Sequence, residues 1–526
     1  MSKSKNSTPA LLLTLLITSG LVGGGVWYLN KTSPGIVSGI TGQQPNNSGG
    51  TTPRSSTQLT LLGDTFSGYS TFRSSEFQEV LAEFGLGLQY EDEFDQAVRA
   101  QKLSQGEADL MVTTLDQFLQ QQPQGKIVGL IDRTIGADAV VLNTKQYGDL
   151  KSLQDVSTLL QQAQAQGQSL KVVYAGDTPS EYLALVLDTK FEAFNLSDFE
   201  VVKVADASEA WTLMQDPANN VAIAVLWEPF ITQAKQQGHT VVLSSQDAPG
   251  SIVDVVVASD RLLQSKPEQV SELLEAYYRR IDANVRDSSQ LQTQIAEDGG
   301  LSPTDAGAVL QGIDFFTATE AKDWMQDGTL KTRIEAIAAV LVLSGRMNSI
   351  PSNPEELYTA DYLTKAATNT NTLIELVRAD NPELADRLSG NNAQTIAIPE
   401  VSAEQVQAAP DIGNLDVKGQ VDFGTGSAQL TAAGQQTLDA LAAEIQEFNP
   451  QTVAVRVIGH TSQTGGAALN QQLSQNRAQV VVDYLRSKGI QHNIVAEGKG
   501  FSEPLPGIAP QDAQNQRTEI RLVRVN

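Results

Sequence analysis

From Thr57 onward the apolar positions follow two periods that alternate along the chain. QLTLLG is a short apolar run closed by Gly63. Phe77, Val80, Leu81 and Phe84 then fall at i, i+3, i+4 and i+7, one face of a helix. LGLQYED alternates like a strand, FDQAVRAQKLSQG returns to helical spacing, and ADLMVTT reads as a buried strand. LKVVYAG, FEVVKVA, VAIAVLW and HTVVLSS continue the rhythm, with helical stretches between them. This alternation predicts mostly parallel sheets with helices on both faces, arranged as two α/β lobes over residues 57–365. In such folds ligands sit beyond the carboxyl ends of the strands, often in the cleft between lobes.

The pattern changes near Asp416. GQVDFGTGSAQLTAAG reads as a strand and turn, and Leu438, Leu441, Ala442 and Ile445 mark one helix face. TVAVRVIGH sets Val453, Val455 and Val457 against Ala454, Arg456 and Ile458, which predicts a half-buried strand. The turn TSQTGG leads into a helix ended at Gly489, and IVAEGKG and RTEIRLVRV add strands. Residues 416–526 are thus expected to form a compact α+β domain. Residues 366–415, a helical segment and a weakly patterned linker, separate it from the lobes.

Upstream, Ala10 to Leu29 carry no charge. Twenty residues at about 1.5 Å each span roughly 30 Å, the thickness of a bilayer's hydrocarbon core. Lys3 and Lys5 precede the run, and Trp27 and Tyr28 close it, where amphipathic rings favour the interface. The expectation is one transmembrane helix over 10–29, with residues 1–9 in the cytoplasm. The protein would then be a single-pass inner-membrane protein with its bulk in the periplasm. A cleaved signal peptide competes with this, although the small residues of TSGLVGGG lie inside the apolar run rather than after it. Residues 30–56, rich in Gly, Ser, Thr, Pro and Asn, read as a flexible spacer with a reach of about 25–30 Å.

Composition narrows the chemistry. The formal net charge is −25, which argues against nucleic acid, because phosphate binding needs clustered Lys and Arg. From Asp411 onward nine Lys/Arg meet eleven Asp/Glu, so nearly all the excess negative charge lies upstream. With no cysteine there is neither a disulfide nor a thiolate site. His239, His460 and His492 are far apart and lack metal-ligand spacing. No P-loop, GxSxG, HExxH or Ser-His-Asp pattern appears, so no enzyme, cofactor or metal is expected.

The strand ends supply candidate solute-binding residues. These are Ser67, Gly68 and Tyr69; Thr113, Thr114 and Asp116; Asp132, Gly136 and Asp138 on a crossover between lobes; Ser180 at a helix start; Trp227 and Glu228; and Asp254. Thr114 and Ser180 read equally as helix caps, and Trp227 as core. Asp116, Asp132, Asp138, Glu228 and Asp254 face a single nearby Arg133. Uncompensated carboxylates oppose an anion and favour a neutral or amine-bearing ligand. The alternative is that these acids face solvent.

In the last domain, Asn470, Leu473, Ser474 and Arg477 share one helix face at i, i+3, i+4 and i+7. His460, Thr461, Gly465 and Gly466 form the preceding turn, whose N–H groups suit an anion, and Arg477 adds a planar fork suited to a carboxylate. On physics alone the face reads equally as solvated polar surface.

Two resemblances follow. GDTFSGYSTF, LSQGEADLMVTTLDQFL, IDRTIGADAVV, VAIAVLWEPFITQA and SSQDAPGSIVDVVVASDRLL, in that order, resemble periplasmic solute-binding proteins of the nitrate/sulfonate/taurine-type ABC transport class. That resemblance implies two hinged lobes closing on a small molecule, with an ABC permease as partner or a sensing role without transport. The C-terminal pattern resembles the OmpA-type peptidoglycan-binding domain, whose signature is a GHTD turn, an Asn and an LSxxRA helix. Here it reads Gly459-His460-Thr461-Ser462, Asn470, then Leu473 to Ala478, and Asn515 and Arg517 match the family's closing strand. It implies noncovalent binding to the diaminopimelate stem peptide of peptidoglycan, with Arg477 pairing the ligand's carboxylate and Thr461 and Asn470 in support. Ser462 departs from the family's Asp, which pairs with the ligand's charged end. A structural wall-linking protein with a degenerate cleft is the alternative to a solute binder.

Overall fold

Three sheets carry the described residues, 57–390, 398–417, 421–424 and 426–525, of this computed structural model. In the first lobe β1 (Thr57–Gly63), β2 (Leu86–Asp92), β3 (Leu110–Thr114) and β4 (Gly125–Thr134) precede the first crossover. The second lobe holds β5 (Asp138–Leu142), β6 (Lys171–Ala175), β7 (Glu200–Val204), β8 (Val221–Trp227) and β9 (Thr240–Ser244), in the order β7-β6-β8-β5-β9. The chain then returns as β10 (Val253–Ser259) and later β11 (Ile313–Phe315), completing a first sheet ordered β11-β4-β10-β3-β1-β2.

This double crossing corrects the expectation of mostly parallel sheets. β1 pairs parallel with β2 and β3, and β6 with β7 and β8. β10, re-entering from the second lobe, runs antiparallel to both β3 and β4, and β5 is antiparallel to β8 and β9. The ends of β3 and β4 and the start of β10 consequently share the sheet edge that faces the other lobe. On the second lobe's matching edge Asp138 lies opposite Trp227 in register.

Helix Pro267–Arg286 closes the first lobe with an apolar face of Val270, Leu273, Leu274, Tyr277, Tyr278 and Ile281. Each such side chain contributes about 1.5–3 kcal/mol on burial. The Tyr278 hydroxyl donates to Leu130 O at 2.7 Å and accepts from Leu130 N at 3.1 Å, so this phenol is paired inside the core. Helix Thr329–Leu343 buries Leu330, Ile334, Ile337, Ala338 and Leu341 and packs on helix Leu115–Gln121 of one lobe and helix Pro179–Lys190 of the other.

The last sheet is ordered β12-β15-β13-β14, with β12 (Asp411–Asn414), β13 (Val453–Gly459), β14 (Ile494–Gly498) and β15 (Thr518–Arg524). Its first strand is therefore Asp411–Asn414, inside the stretch read as linker, and not GQVDFG. Residues around Phe423 form a loop instead, tied by Gly424 N to Gln429 O and Thr431 N to Asp422 O. β13 is buried at every position rather than half-buried, because Val406 of helix Ala403–Ala408 covers Ala454 on the second face. Arg456, on that face, pairs with Asp411 and Glu497. Ala10–Leu29 lies outside the described residues, among which no helix is long and apolar enough to cross a membrane.

Candidate functional site

The Gly459–Ala478 stretch is assembled by close backbone approach. A Cβ on Gly459 would lie 2.4 Å from Ser474 O, and one on Gly498 would lie 2.5 Å from Gln475 N, so both strands press directly on helix Ala467–Ser487. Gly500 joins the turn to that helix: its carbonyl accepts from Thr461 N at 2.7 Å and its N–H donates to Ser474 Oγ at 2.9 Å. Asn470 Nδ2 donates to Thr464 O at 3.0 Å and Gly466 O at 3.3 Å, which fixes the turn. Thr461 is buried with its hydroxyl unpaired.

Arg477 lies one turn beyond Ser474. Its Nε donates to Ser427 O at 3.0 Å and its guanidinium stacks 5.0 Å from the Phe423 ring centroid. Burial lowers its pKa, and no carboxylate acts on it among the described residues. The arrangement therefore holds a planar, largely buried cation whose charge is uncompensated, a receptor for a carboxylate.

The other expected residues divide. Ser462 is 2% exposed and tied to Thr464 Oγ1 at 3.1 Å and Gln516 Nε2 at 3.2 Å, a neutral network. His460 is buried with Nε2 3.3 Å from Glu519 Oε1. Burial would raise the Glu519 carboxyl, but His460, Arg517 and Arg521 hold it well below the usual range. Arg517 is engaged by Glu519 at 2.7 Å and donates to Glu503 O, unlike Arg477. Asn515 supports the loop before β15 by donating to Ala509 O and accepting from Leu505 N. Sequence reasoning missed Phe423 and Gln516; the aromatic in VDFG was the available signal for the first.

In the two-lobed part four of the five candidate acids do not face solvent, and Glu228 is only half-buried. Asp116, Asp132, Asp138 and Asp254 are all at most 5% exposed. Burial pushes Asp138 up to about 7 and Asp116 up to about 6, and it raises Asp132 and Asp254 well above the carboxylate range. Tyr69 is buried and donates to Asp254 Oδ1, with Gly68 beside Asp132 and Ser67 half-buried next to it. Thr113 bonds Gln96 at 2.9 Å, and Thr114 occupies a helix N-cap position without a capping side-chain bond. Ser180 is not the cap of its helix: Thr178 is, through Ser180 N at 3.2 Å, because Pro179 takes the first helical position. The Ser180 hydroxyl is buried and unpaired.

Trp227 packs at the edge of the second lobe's core. Glu228 turns to its own helix, accepting from Thr232 N and Oγ1 at 3.1 and 3.0 Å. Gly136, at φ +126°, lets the first crossover donate to Ser245 Oγ at 2.8 Å, so the two crossovers are bonded together. Arg133 points away from the other acids to Asp314 and Glu320.

Residues 422–518 match the OmpA family. Outer membrane protein A of Shimwellia blattae is 40% identical over 132 residues, 25% of this chain and 55% of that protein, so the match spans about half of the relative's length. Among solved structures, the periplasmic aliphatic sulphonate binding protein SsuA from Escherichia coli is 14% identical, covering 57% of this chain and 92% of that one at a TM-score of 0.44. The periplasmic nitrate-binding protein NrtA from Synechocystis PCC 6803 is 14% identical, covering 59% and 88% at 0.44. The desulfurization enzyme DSZB is 14% identical, covering 59% and 99% at 0.42.

Proposed function

We propose that this chain is an envelope protein that grips peptidoglycan through its C-terminal domain and binds a small solute between its two α/β lobes. The observation that carries the first half is Arg477, a largely buried guanidinium with no carboxylate acting on it among the described residues. The diaminopimelate stem peptide offers the carboxylate it lacks. The second half is supported by the buried, uncompensated acids at the end of β4 and the starts of β5 and β10, and by the buried, unpaired Ser180 hydroxyl. Anchoring in the inner membrane through residues 10–29, and delivery of solute to an ABC permease or sensing without transport, complete the proposal. No catalytic role is assigned.

The test is co-sedimentation of the full chain with purified sacculi. Charged hydrogen bonds contribute about 1.5–3 kcal/mol, so Arg477→Ala is expected to weaken retention roughly 10- to 100-fold with little change in melting temperature. Ser462→Asp, restoring a carboxylate for the peptide's amine end, is expected to strengthen it about tenfold. Equal retention of wild type and Arg477→Ala would remove the wall-binding role.

A degenerate, purely structural cleft is favoured by one observation. Helix Thr329–Leu343 packs on both lobes, and Arg346 just beyond it joins Lys203 in an ion pair with Glu181 in the first turn of helix Pro179–Lys190. Small-angle scattering of the full chain with and without a cell-extract solute pool separates the two: lobes that close support solute binding, and lobes that stay fixed support the structural reading.

A further inference from the structure

Beside the first crossover, four buried polar atoms have no hydrogen-bond partner: both carboxylate oxygens of Asp132, Oδ2 of Asp254 and the Tyr277 hydroxyl. Their residues are at most 1% exposed. Three elements converge to place them, β4 for Asp132, β10 for Asp254 and helix Pro267–Arg286 for Tyr277. The turn Ser67–Tyr69 seals the wall. A Cβ on Gly68 would lie 2.2 Å from Asp132 Oδ2, and Tyr69 occupies the other oxygen of Asp254. β10 pairs with β4 at Val253–Arg133 and Val255–Leu130, which sets Asp254 beside Asp132, and burial together with both acids pushes the Tyr277 phenol up. Yet none of the four atoms bonds another.

Buried polar atoms in folded proteins are almost always paired, and three of these four are carboxylate oxygens. What they require is a set of N–H or O–H donors. The chain's own nearby cations are engaged elsewhere. Arg133 bonds Asp314 and Glu320 and stacks 4.9 Å from the Phe316 ring centroid; Arg73 pairs with Asp298 at 2.9 Å, and Arg99 with Asp64 at 2.8 Å. An anion at this wall would meet carboxylates with no compensating charge.

We propose that this wall is the cation-recognising end of the solute site, taking an organic ammonium or amidinium head group on Asp132, Asp254 and Tyr277. The inference rests on the solute-binding function proposed above and gives it a ligand class. The head group's N–H donors satisfy the acceptor oxygens, while its positive charge offsets two acids the fold leaves uncompensated. Tyr69 and Gly68 hold Asp254 and Asp132 in place and contribute no charge of their own. The class differs from the sulphonate and nitrate named for the two structures compared above.

The test is a thermal shift of the purified full chain with methylammonium chloride as head-group probe, against sodium chloride, sodium nitrate and sodium methanesulfonate at equal ionic strength. Methylammonium is expected to raise the melting temperature with a saturating dose response. Asp132→Asn should melt at or above wild type without the probe, and bind the probe about tenfold or more weakly. No shift by methylammonium, or an equal shift in Asp132→Asn, overturns the inference. So does an Asp132→Asn chain that melts well below wild type, since Asp132 would then be satisfied within the fold. A shift by nitrate or methanesulfonate instead overturns it while leaving solute binding standing. Silence towards every salt, with lobes that also stay fixed in the scattering experiment, counts against both.

Discussion

At the scale of single residues, the buried carboxyls of the lobes set a pH dependence whose sign can be worked out. Burial raises Asp138 to about 7, Asp116 to about 6 and Asp282 to about 7 in the folded protein. An unfolded Asp ionises near 4. Below that value both states are protonated and these groups contribute nothing. Between about 4 and 7 the unfolded chain loses its protons first, so stability falls as pH rises, and above about 7 the full cost is present. Each group accounts for up to about 1.4 kcal/mol per pH unit in that window. The melting temperature of the two-lobed part should therefore drop between pH 5 and 7.5. Asp138→Asn, which keeps a polar group beside Thr134, should flatten the profile. A flat wild-type profile would show that these acids are satisfied in the folded chain.

At the scale of elements, glycines decide whether the Gly459–Gly466 turn can form against its helix. Gly459 ends β13, and an added Cβ would sit 2.4 Å from Ser474 O, a backbone atom that cannot swing aside. Gly459→Ala is expected to cost about 1–3 kcal/mol and to lower the melting temperature of the last domain along with sacculus retention. A variant that keeps both would mean β13 and the helix can separate without loss.

Much of this element pattern was legible in the sequence. The strands at 110–114, 221–227 and 240–244 read directly as apolar runs, and the GHTS turn with Asn470 and Arg477 stood at spacings that the helix keeps. What was not legible came from partners distant in sequence. Ala454 fell on the polar face of its alternation until Val406 covered it, and the antiparallel direction of β10 is set only by its return from the second lobe. Tyr277 carries no signal of its own in the sequence, because only the fold buries its hydroxyl without a partner. Phe423 has no periodic signal, since it lies on a loop that exists to reach Arg477.

At the scale of the whole molecule, the C-terminal domain is docked on the second lobe rather than strung from it. Asp416 N donates to Lys190 O at 2.8 Å, Lys190 pairs with Glu447 at 2.9 Å, and Phe191 meets Phe448 edge-on at 6.1 Å between centroids. The seam reaches the second crossover. Asn449 donates through N to Asp247 O at 2.8 Å and through Nδ2 to Gln246 O at 3.1 Å. Arg524, at the end of β15, donates to Val241 O at 2.9 Å and sets Nε 3.4 Å from Asp247. Asp247 is fully buried, and its Oδ2 already accepts from Ser244 N and Oγ at 2.8 Å each, so Arg524 is the cation at a crossover carboxylate. Removing it leaves that charge buried with hydrogen bonds alone, at a cost of about 1–3 kcal/mol. In the full chain, Arg524→Ala combined with Asn449→Ala should therefore speed hydrogen exchange at residues 241–247 and split the melting of lobes and C-terminal domain into separate transitions. Arg477→Ala, which lies away from the seam, should do neither. Exchange at 241–247 unchanged by the double variant would show that the crossover is held from within the lobes, with the C-terminal domain resting on it passively.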